Sequence, residues 1–172
     1  MTLRPSPLPG STVATYEEYV AARWTALYRT AYLLTANHAD AEDLAQAALV
    51  KAYLSWSKVV SAASPDAYVR RILTNVFLSE RRRLRHSRER IVEQTPDLGV
   101  PGPTGEDRLV LWPQIAALSP RQRAVVVLRY YEDLTEQQIA DTLGCSPGTV
   151  KSTASDALKA LRTRVDTEGA LS

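Results

Sequence analysis

The stretch Leu134–Arg162 reads LTEQQIADTLGCSPGTVKSTASDALKALR, and its punctuation decides the fold. Thr135-Glu136-Gln137-Gln138 has the Thr-x-x-Gln form of a capping box, so a short helix opens there and turns Ile139, Ala140 and Leu143 inward. Gly144 follows, suited to the positive φ that a tight inter-helix turn requires. Ser146-Pro147 then starts another helix, with a Ser N-cap and a Pro where its missing N–H is harmless. Val150, Ala154, Leu158 and Leu161 give that helix its buried stripe. Ala140 supplies the small side chain that two steeply crossing helices need at closest approach. These are the requirements of a helix-turn-helix, whose second helix enters the DNA major groove N-terminus first. That placement puts Ser146, Pro147, Gly148, Thr149, Lys151, Ser152 and Ser155 on the DNA side, where hydroxyls and helix N-terminal N–H groups suit phosphates. A helical hairpin packed on another protein has the same pattern. Cys145, in the turn, reads as a small, partly buried residue.

Outward from this motif the helical pattern continues. Ser119-Pro120-Arg121-Gln122 is a second capping box, ahead of Val125-Val126-Val127-Leu128. That valine run has strand propensity, but a capping box before it and helical signals on both sides predict helix. Upstream, helix resumes at Arg108 with Leu109, Trp112 and Ala116 on one side. Between Ile91 and Asp107 the pattern stops: three Pro and three Gly read as a linker or a long surface loop. In the first half, Tyr16, Val20, Trp24, Leu27, Ala31 and Leu34 form one stripe on a long helix. Asp40 is the expected N-cap of a second helix running to about Trp56. Ser64-Pro65 starts a third, with Val69, Ile72, Leu73 and Val76 buried and Arg71, Asn75, Ser79 and Arg82 on another face. The fold class is therefore all-α: two small helical domains, 13–90 and 108–165, joined by a flexible linker over 91–107. Residues 1–12 are expected as a disordered tail and 166–172 as a second tail.

Composition narrows the function. The chain of 172 residues is 45% hydrophobic, has one Cys and carries a net charge of +2. A single Cys excludes an internal disulfide, no apolar run reaches the ~18–20 residues of a membrane span, and the N-terminus lacks the form of a secretory signal. A cytoplasmic location is expected. Charge is uneven: residues 70–90 hold eight Arg against two Glu. Such a run is either a solvated face or a phosphate-binding one. His38 and His86 are isolated, and no catalytic triad, metal-ligand spacing or Gly-rich phosphate loop is present, so neither an enzyme nor a bound cofactor or metal is expected.

Five segments in order resemble the extracytoplasmic-function sigma factors, the specificity subunits of bacterial RNA polymerase. They are Leu27–Tyr32, Asp40–Gln46, Ala67–Asn75, Leu118–Arg123 and Leu134–Lys151; the wording of Tyr68–Arg83 is most like an actinobacterial, SigE-like branch. The resemblance spans residues 13–165 and implies binding to core RNA polymerase and to promoter DNA, in a stress or signal response, with an anti-sigma factor as a further partner. It implies that Glu42, Asp43 and Gln46 dock on the polymerase, with Ala47 where relatives carry Glu. It implies that Arg71 and Asn75 contact the displaced strand of the minus-ten element, joined by Trp56, Tyr68, Arg70, Arg81, Arg82 and Arg83. Trp56 and Tyr68 stack on bases in that reading; as core aromatics they serve equally well. The helix-turn-helix residues named above fall to the minus-thirty-five element, where Thr153 and Asp156 replace the usual Arg. A stand-alone helix-turn-helix regulator is the alternative, although the first half offers neither a heptad seam nor a receiver-like βα pattern.

Overall fold

The computed structural model describes residues 15–87 and 113–169, and no strand occurs among them. Helix α1 (Tyr16–Thr35) begins at a capping box in which Thr15 accepts from the Glu18 N–H and Glu18 reaches back to the Thr15 N–H. It ends where Ala36 turns left-handed at φ 57° and donates its N–H to the Tyr32 carbonyl. Helix α2 (His38–Leu54) follows at once. Its cap is Asn37, whose side chain accepts from the Asp40 N–H, and not Asp40 itself. Asp40 lies inside the first turn, where its charge still favours the helix N-terminus.

Nor does α2 run on to Trp56. Ser55, at φ −119° and ψ 29°, breaks the helix, and Trp56 opens the short α3 (Trp56–Ser61). The break turns the indole into an aromatic cluster, edge-on to Tyr16 and to Tyr19 at 5.5 Å between ring centroids in each case. Helix α4 (Pro65–Ser87) starts as expected, with the Ser64 hydroxyl accepting from the Ala67 N–H. Its first turn is tied to α1: Asp66 accepts from the Tyr19 hydroxyl at 3.0 Å and pairs with Arg23 at 2.9 Å. Burial, then Asp66's charge and hydrogen bond, hold the Tyr19 hydroxyl well above its ordinary range.

The second half opens with a helical turn at 113–116 and then α5 (Pro120–Val126), capped by the Ser119–Gln122 box. The valine run is helical, but Val127–Tyr131 widen into a π turn, closed by the Glu132 N–H on the Val127 carbonyl. Helix α6 (Glu136–Leu143) has the Thr135–Gln138 capping box and ends at Gly144, φ 66°. Helix α7 (Pro147–Gly169) starts with the Ser146 hydroxyl accepting from the Thr149 N–H, and continues into the residues expected as a tail from 166. The sequence-based start of helix at Arg108, with Leu109 and Trp112, lies outside the described residues, as does the expected linker.

Two cores result. The first joins Leu34 of α1, Leu44 of α2, and Leu73 and Phe77 of α4. Ala41, Ala45, Ala48 and Ala52 repeat along the inner side of α2, all fully buried, and their small side chains let neighbouring helices approach closely. The second core holds Val125, Leu128, Ile139, Ala140, Val150 and Ala154. The two are joined, because Ala124, Val127 and Leu143 pack against the first. Arg123 adds a polar tie. Its buried guanidinium donates to the Leu34 carbonyl at 2.7 Å in the first half, and to the Ala116 and Leu118 carbonyls in its own. Burial, helped by the charge of Arg81, lowers its pKa to about 10.

Candidate nucleic-acid interface

Helix α4 carries the basic surface, and its helical period divides the cations into two sets. At about 100° per residue, Arg71, Asn75 and Arg82 fall within roughly 40° of one another. All three are exposed, opposite the buried Val69, Leu73 and Val76. Arg83 is exposed as well. Arg70 and Arg81 are only half-exposed and engaged within the fold. Arg70 pairs with Glu132 of the second half at 3.2 Å, and Arg81 lies over the Phe77 ring and pairs with Asp40 at 3.9 Å. Trp56 and Tyr68 are half-buried against Val59 and Val69, so core packing accounts for both rings. The structure thus brings Arg71, Asn75 and Arg82 together and sets Arg70, Arg81, Trp56 and Tyr68 apart from them. Arg88 and Arg90, the end of the run, lie outside the described residues.

On α2 the charge is of the opposite sign. Glu42, Asp43 and Gln46 are exposed on one side, with the Gln46 amide donating to Glu42 at 3.2 Å. Ala47 is partly buried against the first core. The same side continues as apolar surface that sequence reasoning missed. Val50 and Leu54 follow Asp43 by seven and eleven residues, within about 20° of its direction. They are 56% and 78% exposed, with Tyr53 beside them at 59%. Large apolar side chains left in water on an otherwise polar helix face mark a contact surface. The signal in the sequence was weak, because a run such as Ala-Ala-Leu-Val reads equally well as core.

In the helix-turn-helix, Ile139, Ala140 and Val150 are buried where the two helices meet, and Cys145 is partly buried beside them. Ser146, Pro147, Gly148, Thr149, Lys151, Ser152 and Ser155 are all exposed. Two hydroxyls are already used locally. Ser146 caps the helix and lies 2.9 Å from the Thr149 hydroxyl, and Ser152 donates to the Thr149 carbonyl. Lys151 is the one cation on this leading end. Asp156 is exposed, while Thr153 is half-buried.

Residues 20–87 match the family model described as Sigma-70 region 2, and residues 109–161 the model described as Sigma-70, region 4. A Streptomyces avermitilis protein named RNA polymerase sigma-E factor is 41% identical over 156 residues, which cover 90% of this chain and 87% of that one. The ECF RNA polymerase sigma factor SigL of Mycobacterium tuberculosis is 34% identical, over 87% of this chain and 85% of its own. The chain belongs to the extracytoplasmic-function RNA polymerase sigma factors. As such it binds core RNA polymerase and promoter DNA in transcription initiation. This sigma factor is similar in structure to RpoE of Bartonella quintana, solved in complex with the anti-sigma factor NepR. The TM-score is 0.70 at 26% identity, over 86% of this chain and 94% of that one. No helix among the described residues is long and apolar enough to cross a membrane.

Proposed function

We propose that this sigma factor divides its work among three exposed faces. Glu42, Asp43 and Gln46, extended by Val50 and Leu54, dock on core polymerase; the acidic end steers and the apolar end supplies buried area. Arg71, Asn75 and Arg82, with Arg83 beside them, hold the displaced strand of the minus-ten element. A guanidinium stacks on a base or pairs with a phosphate, and the carboxamide reads a base edge. Gly148, Thr149, Lys151 and Ser155 lead the helix-turn-helix into the minus-thirty-five element, with Ser146, Pro147 and Ser152 shaping the helix start. Trp56 and Tyr68 support the α4 face from the core side, and Arg70 and Arg81 reach DNA only if their present partners release them.

The observation that carries this reading is the separation of charge: an acidic face on α2 and a basic one on α4, both exposed, on helices locked together by one core. The chain performs no catalysis of its own and acts in the cytoplasm, in a signal response. The relative solved with an anti-sigma factor supports an anti-sigma factor here as well. The test is transcription in vitro with purified core polymerase and promoter mapping. Transcripts that need both core and this chain are the expected result. Specific binding to duplex DNA by the chain alone, with no transcription, would replace this reading with that of a stand-alone regulator.

A further inference from the structure

We propose that the exposed apolar end of α2 is a docking site for the chain's own N-terminal segment, residues 4–9, which competes there with core polymerase. The competition rests on the docking role proposed above for that face.

The site is built by α1, α2 and α3. Val50, Tyr53 and Leu54 stand exposed at the C-terminal end of α2, just before the break at Ser55. An aromatic corner adjoins them. The Tyr16 hydroxyl crosses from α1 to donate to the Leu49 carbonyl at 3.1 Å, and the Tyr16 ring packs edge-on to Tyr53 with centroids 5.0 Å apart. Trp56 of α3 is edge-on to Tyr16 in turn, and Tyr19 packs edge-on to the same indole. An apolar strip beside such a row of rings is the surface that proline-rich segments recognise. Prolines pack flat on aromatic rings, and little freedom is lost because each Pro has already fixed its φ.

Position, sequence and charge together name the occupant. The described chain starts at Thr15, one residue before Tyr16, so the preceding segment enters the fold at this corner. Residues 1–14 themselves lie outside the described residues. Arg4-Pro5-Ser6-Pro7-Leu8-Pro9 carries Pro at alternate positions. With three residues per turn of polyproline II, Pro5 and Leu8 share one edge, and Arg4 and Pro7 the next. At ~3.1 Å per residue the segment covers roughly 15 Å, more than the ~6 Å that separate Val50 from Leu54 along α2. The chain from Pro9 to Thr15 reaches up to ~20 Å, so the tether does not limit the contact. Arg4 is the one charged side chain in residues 1–14. Glu17 is exposed next to Tyr16 and offers it a partner at the α1 edge, while the exposed Lys51 repels it from the α2 edge.

A segment of this size binds weakly by itself, with a Kd of about 1 mM, but a short tether holds it at an effective concentration of a few mM. The face is then covered in most free molecules. Apparent core affinity falls about 3–5-fold, in proportion to the fraction left uncovered.

The test uses the full chain, isotope-labelled, and purified core polymerase. One variant is Leu8→Asp, which sets a carboxylate against the apolar strip; the other combines Pro5→Ala, Pro7→Ala and Pro9→Ala. In both, the backbone amide signals of residues 50–56 should move in the NMR spectrum while those of α6 and α7 stay in place. Core affinity should rise about 3–5-fold, with an unchanged thermal midpoint. Unmoved signals at 50–56 would overturn the contact. Signals there that move with protein concentration, in wild type and variants alike, would also overturn it and give the face to a second copy. Moved signals with unchanged core affinity would overturn the competition. Leu54→Glu in the Leu8→Asp chain then separates the two readings: a loss of core affinity keeps the docking role of α2, and no loss removes that role as well.

Discussion

Asp156→Arg tests the orientation of the recognition helix by charge alone. Asp156 lies nine residues past Pro147, which at ~1.5 Å per residue is about 13 Å along the axis. The major groove is ~8.5 Å deep, so a helix entering N-terminus first carries this position out to the phosphate rim. The azimuth agrees: Asp156 follows Thr149 by seven residues, within about 20° of the same direction. It is exposed, whereas Val150, Ala154 and Ala157 are buried. At a separation of ~8 Å in water, one unit charge and one phosphate interact by about 0.5 kcal/mol, so a two-unit change is worth about 1 kcal/mol before screening. At 0.15 M salt the Debye length is also ~8 Å, which leaves about 0.4 kcal/mol, a gain near 2-fold; at low salt it approaches 5-fold. The assay is a salt titration of holoenzyme binding to a promoter fragment, wild type against variant. The log–log slope should steepen, by at most the ~0.9 of one full phosphate contact. Unchanged slopes with an unchanged thermal midpoint would show that this side of α7 does not face DNA.

On α4, Arg71→Ala and Asn75→Ala should each lower open-complex formation about 10-fold or more with core affinity within 2-fold, read by promoter melting and by core binding; equal losses in both would make that face a protein-docking one. Gly144→Ala meets no atom within 4 Å, so only the left-handed backbone resists it. It should destabilise by about 1–2 kcal/mol, visible as a thermal midpoint about 3–6 °C lower, with Gly144→Asn milder. Leu128→Ala empties a fully buried site in the second core and should cost about 3 kcal/mol, a midpoint lower by about 6–12 °C in calorimetry.

Much of this protein was legible in the chain because its signals are local. The Thr135–Gln138 and Ser119–Gln122 boxes, the Ser64-Pro65 and Ser146-Pro147 starts and the Gly144 turn act over four or five residues, and each forms as the sequence predicts. Periodicity sorted α4 correctly into a buried Val69–Leu73–Val76 side and an exposed Arg71–Asn75–Arg82 side. Where two local signals competed, the sequence was ambiguous. Asn37 and Asp40 are both good N-caps, and only the tight αL corner at Ala36 selects Asn37. Trp56 suits a helix end as well as a ring cluster, until Tyr16 and Tyr19 from α1 arrive to receive it.

The all-α class and the helix-turn-helix followed from the sequence by itself, since short-range capping, turn chemistry and side-chain period specify them; the family came from the resemblance of five ordered segments to known sigma factors. Tertiary structure alone decided the fate of individual charges. Arg70 and Arg71 are neighbours of identical chemistry, yet one is held by Glu132 from 62 residues away and the other faces solvent. Arg123 reads as one more cation of a capped helix, and is buried against the Leu34 carbonyl 89 residues away. No local rule reaches that far. An ion pair depends on which helix faces come together, and that is settled by the summed packing of Ala124, Val127 and Leu143 against the first core, not by any one of the residues it pairs.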